Sequence, residues 1–289
     1  MLSRRSAPTW VKETGRAVTR TVGQLTADTR MQPDFLMVGA QRSGTTSLYR
    51  CLAAHPAVTP PLFHKGVHYF DVNYGRGPAW YQGHFPVRTL AGRRTRAAAA
   101  APITGESSGY YMHHPLAPSR IAADLPHVKL LVLLRDPVER AYSAHRHEYA
   151  RGFETEEFEP ALELEQERLA GEVDRMRADP HYVSFSHRHH SYVDRGRYVH
   201  QLSLLVDLFG RERILVLDSE DFFASPERTF DRVVSFLGLP SWRPDSFGRI
   251  NARPRAPMPE SVRRRLDEHF FPYDEALAAL LEETPRWRA

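Results

Sequence analysis

A single cysteine, Cys51, in 289 residues leaves no disulfide framework and no thiolate metal cluster. No apolar run approaches the ~18 residues of a membrane-spanning helix, which excludes that class. No apolar segment of about 7–15 residues follows Arg4 and Arg5, so a secretory leader is not expected. Lysine is scarce too: of 39 basic residues only Lys12, Lys65 and Lys129 are lysine, and 36 are arginine. No internal repeat with a period of about 20–50 residues is present. Collagen-like, coiled-coil and disordered classes fail on composition. These absences describe a soluble globular chain, expected in the cytoplasm.

Hydrophobic residues make up 42% of the chain, enough for a real core. The net charge is only +4, because 35 acidic residues nearly balance the arginines. That balance, with no familiar nucleic-acid-binding motif, argues against a nucleic-acid partner. Guanidinium forks remain well suited to phosphate or sulfate.

Residues 1–32 are polar and Thr- and Arg-rich, and are expected as a loosely ordered extension, with an amphipathic pattern over Trp10–Leu25. Residues 33–289 are expected as one domain. Apolar runs predict strands at Phe35–Val38, Ile103–Thr104, Lys129–Leu134 and Arg213–Leu217. Helical patterns cover Thr45–His55, Pro137–Tyr149, residues 154–178, Tyr192–Phe209, Pro226–Leu237 and Glu260–Phe270. Residues 86–102 read as a surface excursion, and seven glutamates from Glu154 to Glu167 as a solvated face. Strands alternating with helices imply an α/β, P-loop-like three-layer fold with a central, mostly parallel sheet flanked by helices.

The first strand runs into Gly39-Ala40-Gln41-Arg42-Ser43-Gly44-Thr45-Thr46 and then into a helix. The G-x-x-x-x-G spacing is that of a phosphate-binding loop in its proper place. Glycines let backbone wrap an anion, and a helix N-terminus offers it unpaired N–H groups. A nucleoside triphosphatase or nucleotide kinase, the alternative enzyme class, wants Lys directly after the second glycine. Thr45 stands there instead, and the cation lies inside the loop as Arg42. The loop suits a nucleotide whose reaction needs no γ-phosphate. A second segment, Arg135-Asp-Pro-Val-Glu-Arg-Ala-Tyr-Ser143, puts Arg135 at the carboxyl end of a strand, where open α/β sheets bind ligands. Ser143 follows two turns into the next helix.

Together these two segments resemble the 5′-phosphosulfate loop and 3′-phosphate motif of sulfotransferases that use 3′-phosphoadenylyl sulfate (PAPS), in the bacterial and heparan sulfate-type carbohydrate branch. Lys65–Asp71, Gly105–Tyr110, Ser191–Leu202, Phe236–Leu239 and Phe271–Trp287 are similar as well. The resemblance implies PAPS as co-substrate, no metal, and a hydroxyl or amine acceptor on a carbohydrate, glycolipid or small metabolite. It implies that Arg42, Ser43, Gly44, Thr45, Thr46 and Ser47 cradle the 5′-phosphosulfate, and that Arg135 and Ser143 hold the 3′-phosphate. Arg249, Asn251, Arg253 and Arg255 are candidates for a basic loop closing over the nucleotide. Arg42 and Lys65 suit stabilisation of the leaving charge.

One departure stands out. Heparan-type relatives commonly read Lys-Glu-x-His-Phe-Phe, with Glu taken as the general base, whereas this chain reads Lys65-Gly66-Val67-His68-Tyr69-Phe70-Asp71. His68, which titrates near neutrality, and Glu106 are the candidate substitutes. A PAPS-binding protein that has lost turnover is the other reading. His187, His189 and His190, and the pair His113–His114, match no familiar zinc spacing. With Tyr192 and Tyr198, the His187–His190 segment is a candidate lining of an acceptor pocket. Trp80, Tyr81 and Phe85 read as core before sugar-stacking residues.

Overall fold

Phe35, Leu36, Met37 and Val38 are all fully buried, as an apolar run must be when both faces of its sheet are covered. They form β1 (Phe35–Gly39) in a computed structural model that describes residues 21–95, 100–248 and 257–289. The other strands are β2 (Gly105–Ser107), β3 (Lys129–Leu134) and β4 (Ile214–Asp218). All three pairings are parallel, in the order β2-β1-β3-β4. This is the three-layer α/β arrangement read from the sequence.

Strand alternation splits the core in two. Leu36, Val38, Leu130, Val132 and Leu134 pack with Ile121, Leu202, Leu205 and Leu277. Phe35, Met37, Leu131, Leu133 and Leu217 face the other way, onto Leu48, Leu52, Phe230, Val233 and Leu237. Each fully buried aliphatic side chain here contributes roughly 1.5–3 kcal/mol. No helix among the described residues is long and apolar enough to cross a membrane.

Helices Thr45–Ala54, Pro137–Tyr149 and Pro226–Leu237 match the sequence pattern closely. Four expectations need correction. Residues 154–178 hold two helices, Phe158–Leu169 and Glu172–Ala178, broken at Gly171, whose φ is 70°. Its glutamates are not all solvated: Glu154 is buried against Arg168 (2.7 Å) and Tyr192 OH (2.9 Å), and Glu165 accepts from the backbone N–H groups of Val193 and Asp194. Tyr192–Phe209 is helical only from Tyr198, after a short 3-10 turn at Asp194–Gly196. The last helix runs on from Glu260 to Leu281, through Pro272. Most of the amphipathic pattern over Trp10–Leu25 falls outside the described residues, of which 21–25 are helical.

The chain moves from β1 to β2 on one side, then crosses to β3 on the other side of β1. The carboxyl ends of β1 and β3 therefore flank the topological switch point, where a crevice opens for a ligand. Leu131→Ala, at the centre of β3, is expected to cost about 2–5 kcal/mol of unfolding free energy, measured by urea denaturation, because the parallel strands on either side restrict collapse into the cavity.

Candidate active site

The turn after β1 is tight. Arg42 and Gly44 both have positive φ, 73° and 90°. A Cβ at Gly44 would stand 2.8 Å from the Phe223 ring, so glycine is needed there for both conformation and space. The helix Thr45–Ala54 starts at Gly44 with no side-chain cap, which leaves its N-terminal dipole to a ligand. Inside the turn Ser43 is buried, and its Oγ has no hydrogen-bond partner among the described residues. A buried hydroxyl without a partner in a loop of this shape fits an anion seated on it.

The second motif is built as its residue types dictate. Asp136 caps the helix Pro137–Tyr149 by accepting from Val138 N (2.8 Å), and Pro137 opens the first turn. Arg135 is held from behind, where Tyr198 OH donates to its carbonyl (2.9 Å). Its guanidinium donates to the Arg42 carbonyl (3.4 Å) and to Glu139 (3.3 Å). Arg42 Nε in turn donates to Ser143 Oγ (3.2 Å). Arg42, Arg135 and Ser143, distant in sequence, thus converge at the switch point. Arg263, from the last helix, adds a hydrogen bond to Glu139 and lies 3.7 Å from Asp136. Sequence reasoning missed Arg263, because nothing local marks one arginine among five basic or acidic neighbours. Arg249, Asn251, Arg253 and Arg255 lie outside the described residues.

The segment Lys65–Asp71 lies beside β2. Ser107 N donates to the Lys65 carbonyl (2.6 Å), and Lys65 Nζ reaches Ser107 Oγ (3.4 Å). The approach leaves no room at residue 66: a Cβ on Gly66 would sit 2.5 Å from the Ser107 carbonyl oxygen. Glycine here is a steric requirement of this backbone.

The strand expected at Ile103–Thr104 instead spans Gly105–Ser107, so Glu106, expected to follow the strand, lies within β2 and is 0% exposed. Its carboxylate accepts from Val67 N (2.6 Å), Ser108 Oγ (2.6 Å), Tyr111 OH (2.7 Å) and Tyr81 OH (3.0 Å). Burial raises its pKa, and these donors only partly oppose that. The geometry is that of an anchor joining the 65–68 segment to the sheet.

His68 is placed differently. Its side chain is 39% exposed and its Nδ1 pairs with the fully buried side chain of Asp71 at 2.7 Å. The backbone is fixed by Ser108 Oγ, which accepts from His68 N (3.1 Å), and by Asn73, which donates to the His68 carbonyl (2.8 Å). A carboxylate on Nδ1 selects the tautomer with Nε2 as the free, basic edge. Burial works against the imidazolium, but the Asp71 hydrogen bond and the charges of Asp71 and Glu106 outweigh it and raise the His68 pKa. Asp71 is a functional candidate that sequence reasoning did not single out. Its signal was the i, i+3 spacing in His68-x-x-Asp71.

Opposite lies the short helix Phe185–His189. Its His187 Nδ1 meets Tyr110 OH (2.7 Å), and His187 stacks on His113 at 4.3 Å between centroids. Arg195, buried beneath, hydrogen-bonds Gln41 of the first loop, and its guanidinium lies 5.1 Å from the Tyr110 ring centre. Tyr192 and Tyr198, expected as pocket lining, are buried, and their hydroxyls donate to Glu154 and to the Arg135 carbonyl. Trp80, Tyr81 and Phe85 are also core. His113, His187 and Asp194 have potential ligand atoms within 4.8 Å of one another. However, Arg197 holds Asp194 at 3.2 Å, and after burial the charges of Arg195 and Arg140 help push His113 well below its ordinary pKa. That field disfavours a dication.

Comparison with known proteins agrees with this geometry. Residues 32–253 match the family model described as "Sulfotransferase domain". The chain is 25% identical over 285 residues to bifunctional heparan sulfate N-deacetylase/N-sulfotransferase 1 of Caenorhabditis elegans, covering 88% of this chain but 31% of that protein. It is 28% identical to heparan sulfate glucosamine 3-O-sulfotransferase 6 of Mus musculus, over 89% of this chain and 74% of that one. A crystal structure of a sulfotransferase from Alicyclobacillus acidocaldarius superimposes with a TM-score of 0.64 at 28% identity, over 90% of this chain and 100% of that one. The chain spans about a third of the length of the bifunctional relative.

A carboxylate placed at residue 66 should not suit this backbone. Gly66→Glu is expected to destabilise the protein by about 1–3 kcal/mol, through overpacking against Ser107, seen as a thermal midpoint lower by about 2–4 °C per kcal/mol. A midpoint equal to the parent's in differential scanning fluorimetry would show that residue 66 has room.

Proposed function

The chain belongs to the sulfotransferase domain family, and from that premise we propose that it transfers a sulfuryl group from PAPS to a hydroxyl or amine of a carbohydrate, glycolipid or small-metabolite acceptor. The observation that carries this reading is the convergence of Arg42, Arg135 and Ser143 at the carboxyl ends of β1 and β3, beside a loop whose buried Ser43 hydroxyl has no hydrogen-bond partner among the described residues. Residues there fit a nucleotide with anions at both ends: the loop and helix N-terminus for the 5′-phosphosulfate, and Arg135 with Ser143 for the 3′-phosphate. The heparan sulfate relatives support a carbohydrate acceptor.

The chemistry follows from these positions. The acceptor oxygen or nitrogen attacks sulfur in line; a new bond to sulfur forms as the bond from sulfur to the 5′-phosphate oxygen breaks. Arg42 and Lys65 stabilise charge on the leaving phosphate oxygen. His68 Nε2 takes the acceptor proton, and Asp71 stabilises the imidazolium that results. Glu106 has no exposed edge from which to do this. The His68–Asp71 pair thus answers the missing carboxylate at Gly66.

Two measurements test the reading. Titration calorimetry should show 3′,5′-ADP bound tenfold or more tighter than 5′-AMP, about 1.4 kcal/mol, with the difference lost in Arg135→Ala. Equal affinity in the parent protein would overturn the donor assignment. In a labelled-PAPS acceptor screen, His68→Ala should lower kcat by about 10²–10⁴ with 3′,5′-ADP binding kept; a donor-binding protein without turnover would give no product in the parent.

The pH dependence has a definite sign. The working base is neutral imidazole, so kcat should rise with pH through a midpoint above the ordinary 6.5. Asp71→Asn removes the main influence raising that midpoint and leaves burial, which lowers it. The acid limb of the profile is therefore expected to move to lower pH in Asp71→Asn, together with a fall in kcat.

A further inference from the structure

Arg195 sits in the 3-10 turn Asp194–Gly196 and is 3% exposed. Its backbone is held by three other elements. Glu165 accepts from Val193 N (2.7 Å) and Asp194 N (2.8 Å), and Gln201 Nε2 donates to the Arg195 carbonyl (3.0 Å). A Cβ on Gly196 would stand 2.7 Å from the Phe270 ring, so the turn lies directly on the last helix. The side chain is held as firmly. Nη2 donates to the carbonyls of His187 and Arg188, each at 3.0 Å, and Nη1 donates to Gln41 Oε1 in the loop after β1. Two acceptors on one nitrogen set the plane of the guanidinium, and a rigid planar group then sets the direction of its other nitrogen.

None of these partners is an anion. Among the described residues no carboxylate pairs with Arg195: its acceptors are two carbonyls and an amide, with the Tyr110 ring centre 5.1 Å away. Burying a charge among neutral groups is costly. Burial pulls the Arg195 pKa down to about 10, which still leaves the fork protonated at neutral pH. The guanidinium is therefore a costly but rigid donor, and it is aimed at Gln41. The next residue, Arg42, has a φ of 73°, in the left-handed region that residues with side chains seldom adopt. Such a backbone persists only where its surroundings over-determine it. Ala40 N is held by the Leu133 carbonyl (2.9 Å), and the Arg42 carbonyl by Arg135 (3.4 Å). Between them, among the described residues, the only side-chain hydrogen bond that Gln41 makes is the one from Arg195.

We propose that Arg195 is a positioning residue for the 5′ end of the nucleotide: acting through Gln41, it holds the loop after β1 in the form in which Arg42 and the Ser43 turn receive the 5′-phosphosulfate. It acts by direction rather than by charge and touches neither donor nor acceptor. This rests on the proposed use of PAPS and assigns a role to a residue outside both nucleotide motifs. The 3′ end, held by Arg135 and Ser143, does not depend on it.

The test compares two ligands by calorimetry on the full chain: 3′,5′-ADP and adenosine 3′-monophosphate, which lacks the 5′-phosphate. The ratio of their dissociation constants reads the 5′ contact alone, and in the parent protein it should be at least about tenfold. Gln41→Ala should cut that ratio by about fivefold, as coupled neighbours do, with the affinity for adenosine 3′-monophosphate unchanged. Arg195→Lys keeps the charge but cannot bridge two carbonyls and Gln41 at once, and it should give the same selective cut. The double variant should lose no more than either single one. Should Arg195→Lys fail to fold, Gln41→Ala decides by itself, with its thermal midpoint as the control. A ratio unchanged in Gln41→Ala or in a folded Arg195→Lys overturns the proposal, and so do additive losses in the double variant. An equal loss for both ligands assigns Arg195 a merely structural role and also overturns it. A parent protein that binds the two ligands equally removes the 5′ reading of the loop itself, and this proposal with it; a parent ratio that stands while the variants leave it untouched removes the role of Arg195 alone.

Discussion

Parallel pairing of β1 with β3 is the contact on which the proposed nucleotide half of the site depends. Ala40 N donates to the Leu133 carbonyl (2.9 Å), so the turn after β1 and the arginine after β3 leave the sheet side by side. Arg42 and Arg135 are 93 residues apart in the chain, yet the Arg135 guanidinium reaches the Arg42 carbonyl. Neither motif alone makes the proposed nucleotide site: one supplies a helix N-terminus and a buried hydroxyl, the other a guanidinium and a serine. The register between two apolar strands turns two half-sites into one.

The acceptor half depends on a buried acid in the same way. Glu106 gathers a backbone N–H, a serine and two tyrosines from segments that would otherwise drift apart, and the burial that raises its pKa also removes it from the acceptor. Drawing the 65–68 segment so close to β2 leaves space only for glycine at residue 66. Any side chain there, a carboxylate included, would clash with the Ser107 backbone. What remains partly exposed is His68, the proposed base, paired with the buried Asp71. The missing glutamate and the buried glutamate are two aspects of one packing arrangement.

Much of the fold was legible because its signals are local. The apolar runs of β1 and β3, the Gly44 turn and the Pro137 and Pro226 starts each need only a few neighbouring residues, and the structure has them where the pattern put them. Errors fell where long-range contacts override local chemistry. Glu154 and Glu165 read as surface because a charged helix usually is; distant Arg168 and the backbone at Val193–Asp194 draw them inside. Tyr192 and Tyr198 read as pocket lining, yet their hydroxyls bond groups that no spacing rule links to them.

What the sequence by itself determined is the class of chemistry: a glycine turn with arginine in place of lysine, an Arg-Asp-Pro strand end, and the absence of a carboxylate at Gly66. Composition and spacing suffice for this, because residue types limit which groups a loop can bind. Only the tertiary structure buried Glu106 while leaving His68 partly exposed, paired Asp71 with His68 and brought Arg263 to Glu139. Those outcomes depend on which side chains reach solvent and which are consumed by hydrogen bonds. Such facts arise when distant segments compete for the same interior space, and no window of sequence contains both competitors.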